Sequence, residues 1–66
     1  MQLKVNGKSY EADPGSTVDA LLRALALPHS RVAVAVNGHV SPKSEHALRV
    51  LSEGDEIEVI QAVAGG

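Results

Sequence analysis

Apolar and polar residues alternate from the first position: Met1, Leu3 and Val5 are separated by Gln2 and Lys4. A period of two is that of a strand buried on one face. Asn6-Gly7 follows, a dipeptide that favours the type I′ turn of a two-residue hairpin, in which both central residues need positive φ. Folding back there sets Val5 opposite Lys8, Leu3 opposite Tyr10 and Met1 opposite Ala12, so turn chemistry and apolar pattern agree on one register. Asp13-Pro14-Gly15 reads as a further turn. Beyond it the period changes. Val18, Leu21, Leu22 and Leu25 stand at i, i+3, i+4 and i+7, with Asp19, Arg23 and Ala26 largely on the other side. That is the apolar stripe of a surface helix. The spacing predicts a helix capped by Ser16, carrying Asp19 near its positive end and stopped by Pro28 near Leu27.

Alternation returns at Val32, Val34 and Val36, spaced by Ala33 and Ala35. A second Asn-Gly pair, Asn37-Gly38, predicts another tight turn, with Val40 on a short return strand before Ser41-Pro42. Lys43 to Ala47 predicts a single helical turn, Leu48 to Leu51 a short apolar strand, and Ser52-Glu53-Gly54-Asp55 a turn. Glu56 to Val59 alternates again. The order β-β-α-β-β-β describes an α+β domain, a mixed sheet of about five strands with one covering helix. One helix covers one sheet face, so Met1/Leu3/Val5, Val32/Val34/Val36 and Ile57/Val59 are the expected core; Tyr10 is its sole aromatic neighbour. Ile60 then shares the outer face with Glu56 and Glu58, and Ala33 and Ala35 point the same way. This predicts an exposed apolar patch rimmed by acid, a place for a partner to dock. The plainer reading is that one exposed Ile is ordinary.

Composition narrows the function classes. Sixty-six residues allow one small domain, and the absence of cysteine excludes a disulfide framework and thiolate metal sites. Six Lys+Arg against eight Asp+Glu argue against a nucleic-acid or membrane-surface binder. With no apolar run of about 20 residues and no signal-peptide core, the chain is expected to be cytoplasmic. It lacks a Gly-rich phosphate loop between strand and helix, and paired carboxylates beside a cleft. His29, His39 and His46 are the ready general bases, expected as separate solvated side chains, and their spacing does not suggest a metal site. Glu53, Asp55, Glu56 and Glu58 read as a solvated face or as a steering patch for a basic partner. A carrier, adaptor or binding module therefore comes ahead of an enzyme.

The informative feature is Ala62-Val63-Ala64-Gly65-Gly66. Residues 1–61 are expected to form the domain and 62–66 a flexible tail. The bland reading is a frayed terminus. The specific one is that two glycines leave a carboxylate without flanking side chains, able to enter a narrow channel in a partner enzyme. Adenylation by a partner using ATP would make that carboxylate an electrophile, and a sulfur nucleophile could then displace AMP to leave a thiocarboxylate. The chemistry needs no catalytic side chain on this chain.

The two-strand start turning at Asn6-Gly7, the helix beginning Thr17-Val18 with Leu21-Leu22, and the run Val34-Ala35-Val36-Asn37-Gly38 resemble the ThiS family of sulfur carriers. So do Glu53-Gly54-Asp55-Glu56-Ile57-Glu58-Val59 and the closing Ala64-Gly65-Gly66. The resemblance covers the whole chain; each motif is weak alone and their order is specific. It implies a ubiquitin-like β-grasp fold with the first and last long strands parallel in mid-sheet. It implies no bound cofactor and a ThiF-type adenylyltransferase that uses ATP on Gly66, with Gly65, Ala64 and Val63 threading its channel. It also implies a cysteine desulfurase or other persulfide source, and thiazole synthase (ThiG) as recipient, for thiamine. Alternatives are the sulfur-donating small subunit of molybdopterin synthase, a covalent protein modifier, and a non-covalent β-grasp module of the TGS type.

Overall fold

The computed structural model describes residues 1–27 and 31–61. Its first strand, β1 (Gln2–Val5), turns back into β2 (Lys8–Glu11) through Asn6 and Gly7. Their φ values of 51° and 81° are the two positive angles of a type I′ turn. Val5 pairs with Lys8 and Leu3 with Tyr10, the register that pattern and turn required.

Helix α1 (Val18–Ala24) is capped by Thr17, not by Ser16 as the sequence suggested. Gly15 at φ 81° places Asp13 to Ser16 in a turn, with Ser16 N–H donating to the Asp13 carbonyl at 3.2 Å and Ser16 Oγ donating to the same oxygen at 2.7 Å. Ser16 is thus occupied, and Thr17 Oγ1 accepts the Ala20 N–H at 3.1 Å instead. At its other end the helix stops at Ala24, earlier than expected. Ala26 takes φ 58°, and the N–H groups of Ala26 and Leu27 donate to the Arg23 and Leu22 carbonyls at 3.0 and 2.9 Å. This paired closure, a Schellman motif, ends the helix before a proline is needed. The stop assigned to Pro28 falls outside the described residues.

Strands β3 (Val32–Val36), β4 (His39–Ser41) and β5 (Glu56–Gln61) complete the sheet, and a 3-10 turn occupies Lys43–Glu45. The strand expected over Leu48 to Leu51 is not one. It makes a single bridge, Val50 to Thr17, and Leu48 is 77% exposed while Leu51 is buried. Its backbone serves the helix start rather than the sheet. The Arg49 carbonyl accepts the Val18 N–H at 3.0 Å, Leu51 N–H donates to Ser16 at 2.8 Å, and the His46 carbonyl accepts the Asp19 N–H at 2.9 Å. The Val18 and Asp19 bonds satisfy helix donors that have no partner within the helix, and the Leu51 bond ties the run to the residue before the N-cap.

The sheet order is β2-β1-β5-β3-β4, with β1 and β5 parallel and the remaining pairs antiparallel. Leu3, Val32, Val34, Val36, Ile57 and Val59 meet Val18, Leu21, Leu22 and Leu51 in an aliphatic core. Met1, Val5 and Tyr10 are partly buried against it. Among the described residues no helix is long and apolar enough to cross a membrane.

Candidate functional site

Strand β5 lies at the centre of the sheet and runs out to Gln61, from which the sequence continues through Gly65 and Gly66. Alternation divides its side chains: Ile57 and Val59 enter the core, while Glu56, Glu58 and Ile60 face the opposite side. Ile60 is 62% exposed. Its cross-strand partner on β3 is Ala33, and Glu58 stands opposite Ala35. Opposite side chains on paired strands share a face, so the four residues form one surface, as the sequence pattern anticipated. Small alanines beside Ile60 leave its side chain unshielded.

The structure adds Val40. It pairs with Ala35 from β4 and is 77% exposed, extending the apolar strip to the sheet edge. The signal was present in the sequence, because a two-residue turn at Asn37-Gly38 fixes the pairing of residues 35 and 40.

The acidic group separates into two kinds. Glu53 Oε1 accepts the Gln2 N–H at 2.9 Å. Asp55 accepts the Ser52 N–H at 2.8 Å and the Asn37 Nδ2–H at 3.0 Å, so both residues hold the turn that launches β5. Glu56 and Glu58 remain on the outer face, with Lys4 beside Glu56 across the parallel pair. Glu56 and Glu58 lie on the face of the patch, as the alternation predicts, while Glu53 and Asp55 bond within the turn before it.

The histidines also separate. His39 is exposed, but His46, expected at the surface, is buried at 2%, its Nε2 2.9 Å from the Ser41 carbonyl. The segment that caps α1 carries it inward; a locally polar stretch gave no sign of this. His29 lies outside the described residues, as do Val63, Ala64, Gly65 and Gly66. Among the described residues no three His, Asp or Glu side chains gather as a metal site.

The ThiS family model matches residues 3–66. The chain belongs to the ThiS family. Sulfur carrier protein ThiS of Escherichia coli (strain K12) is 32% identical to this family member over 66 residues, all of both chains. Thiazole synthase of Paramagnetospirillum magneticum is 35% identical over the same 66 residues; the chain spans about a fifth (20%) of that protein's length. The crystal structure of the thiamine biosynthesis protein (ThiS) from Geobacter metallireducens superposes with a TM-score of 0.84 at 32% identity, covering all of both chains. The five-stranded mixed sheet around one helix is accordingly the ubiquitin-like β-grasp expected of a ThiS-family chain.

Proposed function

We propose that the chain is a sulfur carrier for the thiazole ring of thiamine, acting as a protein substrate and not as a catalyst. The observation that carries this reading is the full-length match to the E. coli carrier, which runs through the Gly65-Gly66 end. In the proposed cycle a Gly66 carboxylate oxygen attacks the α-phosphorus of ATP on a ThiF-type adenylyltransferase, releasing pyrophosphate. The resulting acyl-adenylate carries a good leaving group. The terminal sulfur of a persulfide, formed by a cysteine desulfurase or another persulfide source, then attacks the carbonyl carbon; the C–S bond forms and the C–O bond to AMP breaks. A second thiol cleaves the S–S bond of the resulting acyl disulfide, forming a disulfide with the donor cysteine and leaving the thiocarboxylate. Its sulfur is the nucleophile delivered to thiazole synthase, a recipient supported by the match of this chain to part of two such enzymes.

Residues 62–66 act as the tail in this scheme, with Val63, Ala64 and Gly65 threading the partner's channel. Ile60, Ala33, Ala35, Glu56 and Glu58 form the docking face. An apolar centre with an acidic rim suits a partner presenting apolar side chains among lysines or arginines, the rim governing encounter rate and the centre affinity. Intact mass of the protein isolated from growing cells tests the reading. A fraction with one oxygen replaced by sulfur at Gly66 is expected. Its absence, together with no adenylate formed from ATP and the activating enzyme, would leave a non-covalent binding module.

A further inference from the structure

The pairing of β5 with β1 ends in an unusual way. Lys4 N–H donates to the Asp55 carbonyl and Asn6 N–H to the Ile57 carbonyl, both at 2.9 Å. The next rung of a parallel ladder would join Val59 N–H to the main-chain carbonyl of Asn6. Asn6, at φ 51°, has already entered the hairpin turn, so its carbonyl is swung out of line. The side chain takes over. Asn6 Oδ1 accepts the Val59 N–H at 2.8 Å, and Asn6 Nδ2 donates to the Val59 carbonyl at 3.3 Å. One carboxamide therefore serves both backbone groups of Val59 on the side where β1 has turned away.

The second Asn-Gly turn repeats the device at the other end of the strand. Asn37 N–H donates to the Glu56 carbonyl at 2.7 Å, and Asn37 Oδ1 accepts the Glu56 N–H at 2.9 Å, where a main-chain carbonyl would accept it in a regular antiparallel pair. Asn37 clips the start of β5 and Asn6 clips its last stretch.

We propose that Asn6 is a positioning residue: by bonding both backbone groups of Val59, its carboxamide holds β5 from the β1 side two residues before the strand ends at Gln61, and so helps to aim residues 62–66 once the body is docked on the activating enzyme. This rests on the reading of Gly66 as the reacting residue. Asn6 stands at neither the reacting carbonyl nor the docking face and acts through Val59. Without it, β5 beyond Ile57 is held from the β3 side alone, so the docking face survives while the strand end twists more freely about that single pairing and the departing chain samples a wider range of directions.

Asn6→Gly tests this, because glycine accepts the positive φ of the turn and removes only the clip. By hydrogen exchange, the Val59 amide is expected to lose protection by about tenfold or more, and Asn6→Asp, which keeps an acceptor, retains most of it. With ATP and the adenylyltransferase, kcat of Asn6→Gly falls about tenfold while KM for the carrier stays within about twofold. Asn6→Asp recovers part of kcat. Asn37→Gly, which removes the matching clip far from the tail, lowers the unfolding temperature and leaves kcat unchanged. Wild-type kcat in Asn6→Gly, or an equal loss in Asn37→Gly, would overturn the proposal. If Asn6→Gly does not fold, Asn6→Asp decides: a fall in kcat of about threefold is expected from losing the donor alone, and none refutes it. Failure of the wild-type chain to form an adenylate is a different result. It would remove the sulfur-carrier reading and the aiming role together, while Val59 exchange would still report whether the clip holds the strand.

Discussion

Replacing Ile60 by aspartate separates docking from folding. The side chain is 62% exposed and faces away from the core. Fully burying an isoleucine contributes about 1.5–3 kcal/mol, so covering the exposed three-fifths in a complex contributes about 1–2 kcal/mol. In affinity that is about a 5- to 30-fold loss on removal. Aspartate also brings a charge that must be desolvated in the apolar centre, which places the expected loss at tenfold or more, about 1.4 kcal/mol. The folded state loses less. Aspartate is a poor strand former, costing about 1 kcal/mol, which lowers the unfolding temperature by about 4–8 °C in a domain of this size. Titration calorimetry with the activating enzyme, run well below the unfolding temperature, reads the affinity. Ile60→Ala isolates the apolar contribution from the charge. A dissociation constant within twofold of wild type for both variants would remove this face from the account of docking.

Other expectations concern the core, the helix end and the tail. Leu22 is fully buried beneath the sheet, and Leu22→Ala should lose about 3 kcal/mol in chemical denaturation, a large share of the stability of a small domain; a loss under about 1 kcal/mol would mean the core refills the space. Ala26 closes α1 at φ 58°, a conformation that costs an L-residue about 1 kcal/mol, so Ala26→Gly should raise stability by about 0.5 kcal/mol after the extra freedom of glycine in the unfolded chain is counted. Unchanged or lower stability by thermal melting would show that the Schellman closure carries no strain. Gly65→Val should cut kcat/KM for adenylation about tenfold or more by blocking the channel, and wild-type kinetics would argue against threading.

Much of the architecture was legible because its signals are local. Asn6-Gly7 and Asn37-Gly38 fixed two hairpin registers, and valine-alanine alternation in β3 fixed which side chains face the core. The outer patch followed by elimination, since Ile60 could not share a face with Ile57 and Val59. The errors share a cause. At Ser16, the 48–51 run and His46 the pattern of adjacent residues is ambiguous, and a specific hydrogen-bond partner decides the outcome. Ser16 is held by Asp13, Leu51 and Arg49 are bonded to the helix entry, and His46 lies against Ser41. An apolar run of four residues does not say whether its backbone groups will find a sheet or the open end of a helix.

The double use of Asn6 and Asn37 marks the same boundary. Sequence determined that both would stand in tight turns, because positive φ is a property of the residue and its neighbour. It also set the two-sidedness of β1, β3 and β5. Only the tertiary structure decided that β5 passes between the two turns, with Val59 within reach of one carboxamide and Glu56 of the other. Those contacts join residues 53 and 19 positions apart. They arise where the neighbouring strand has entered its turn and no longer offers a main-chain carbonyl in line, so the side chains that the turns present become the partners of β5.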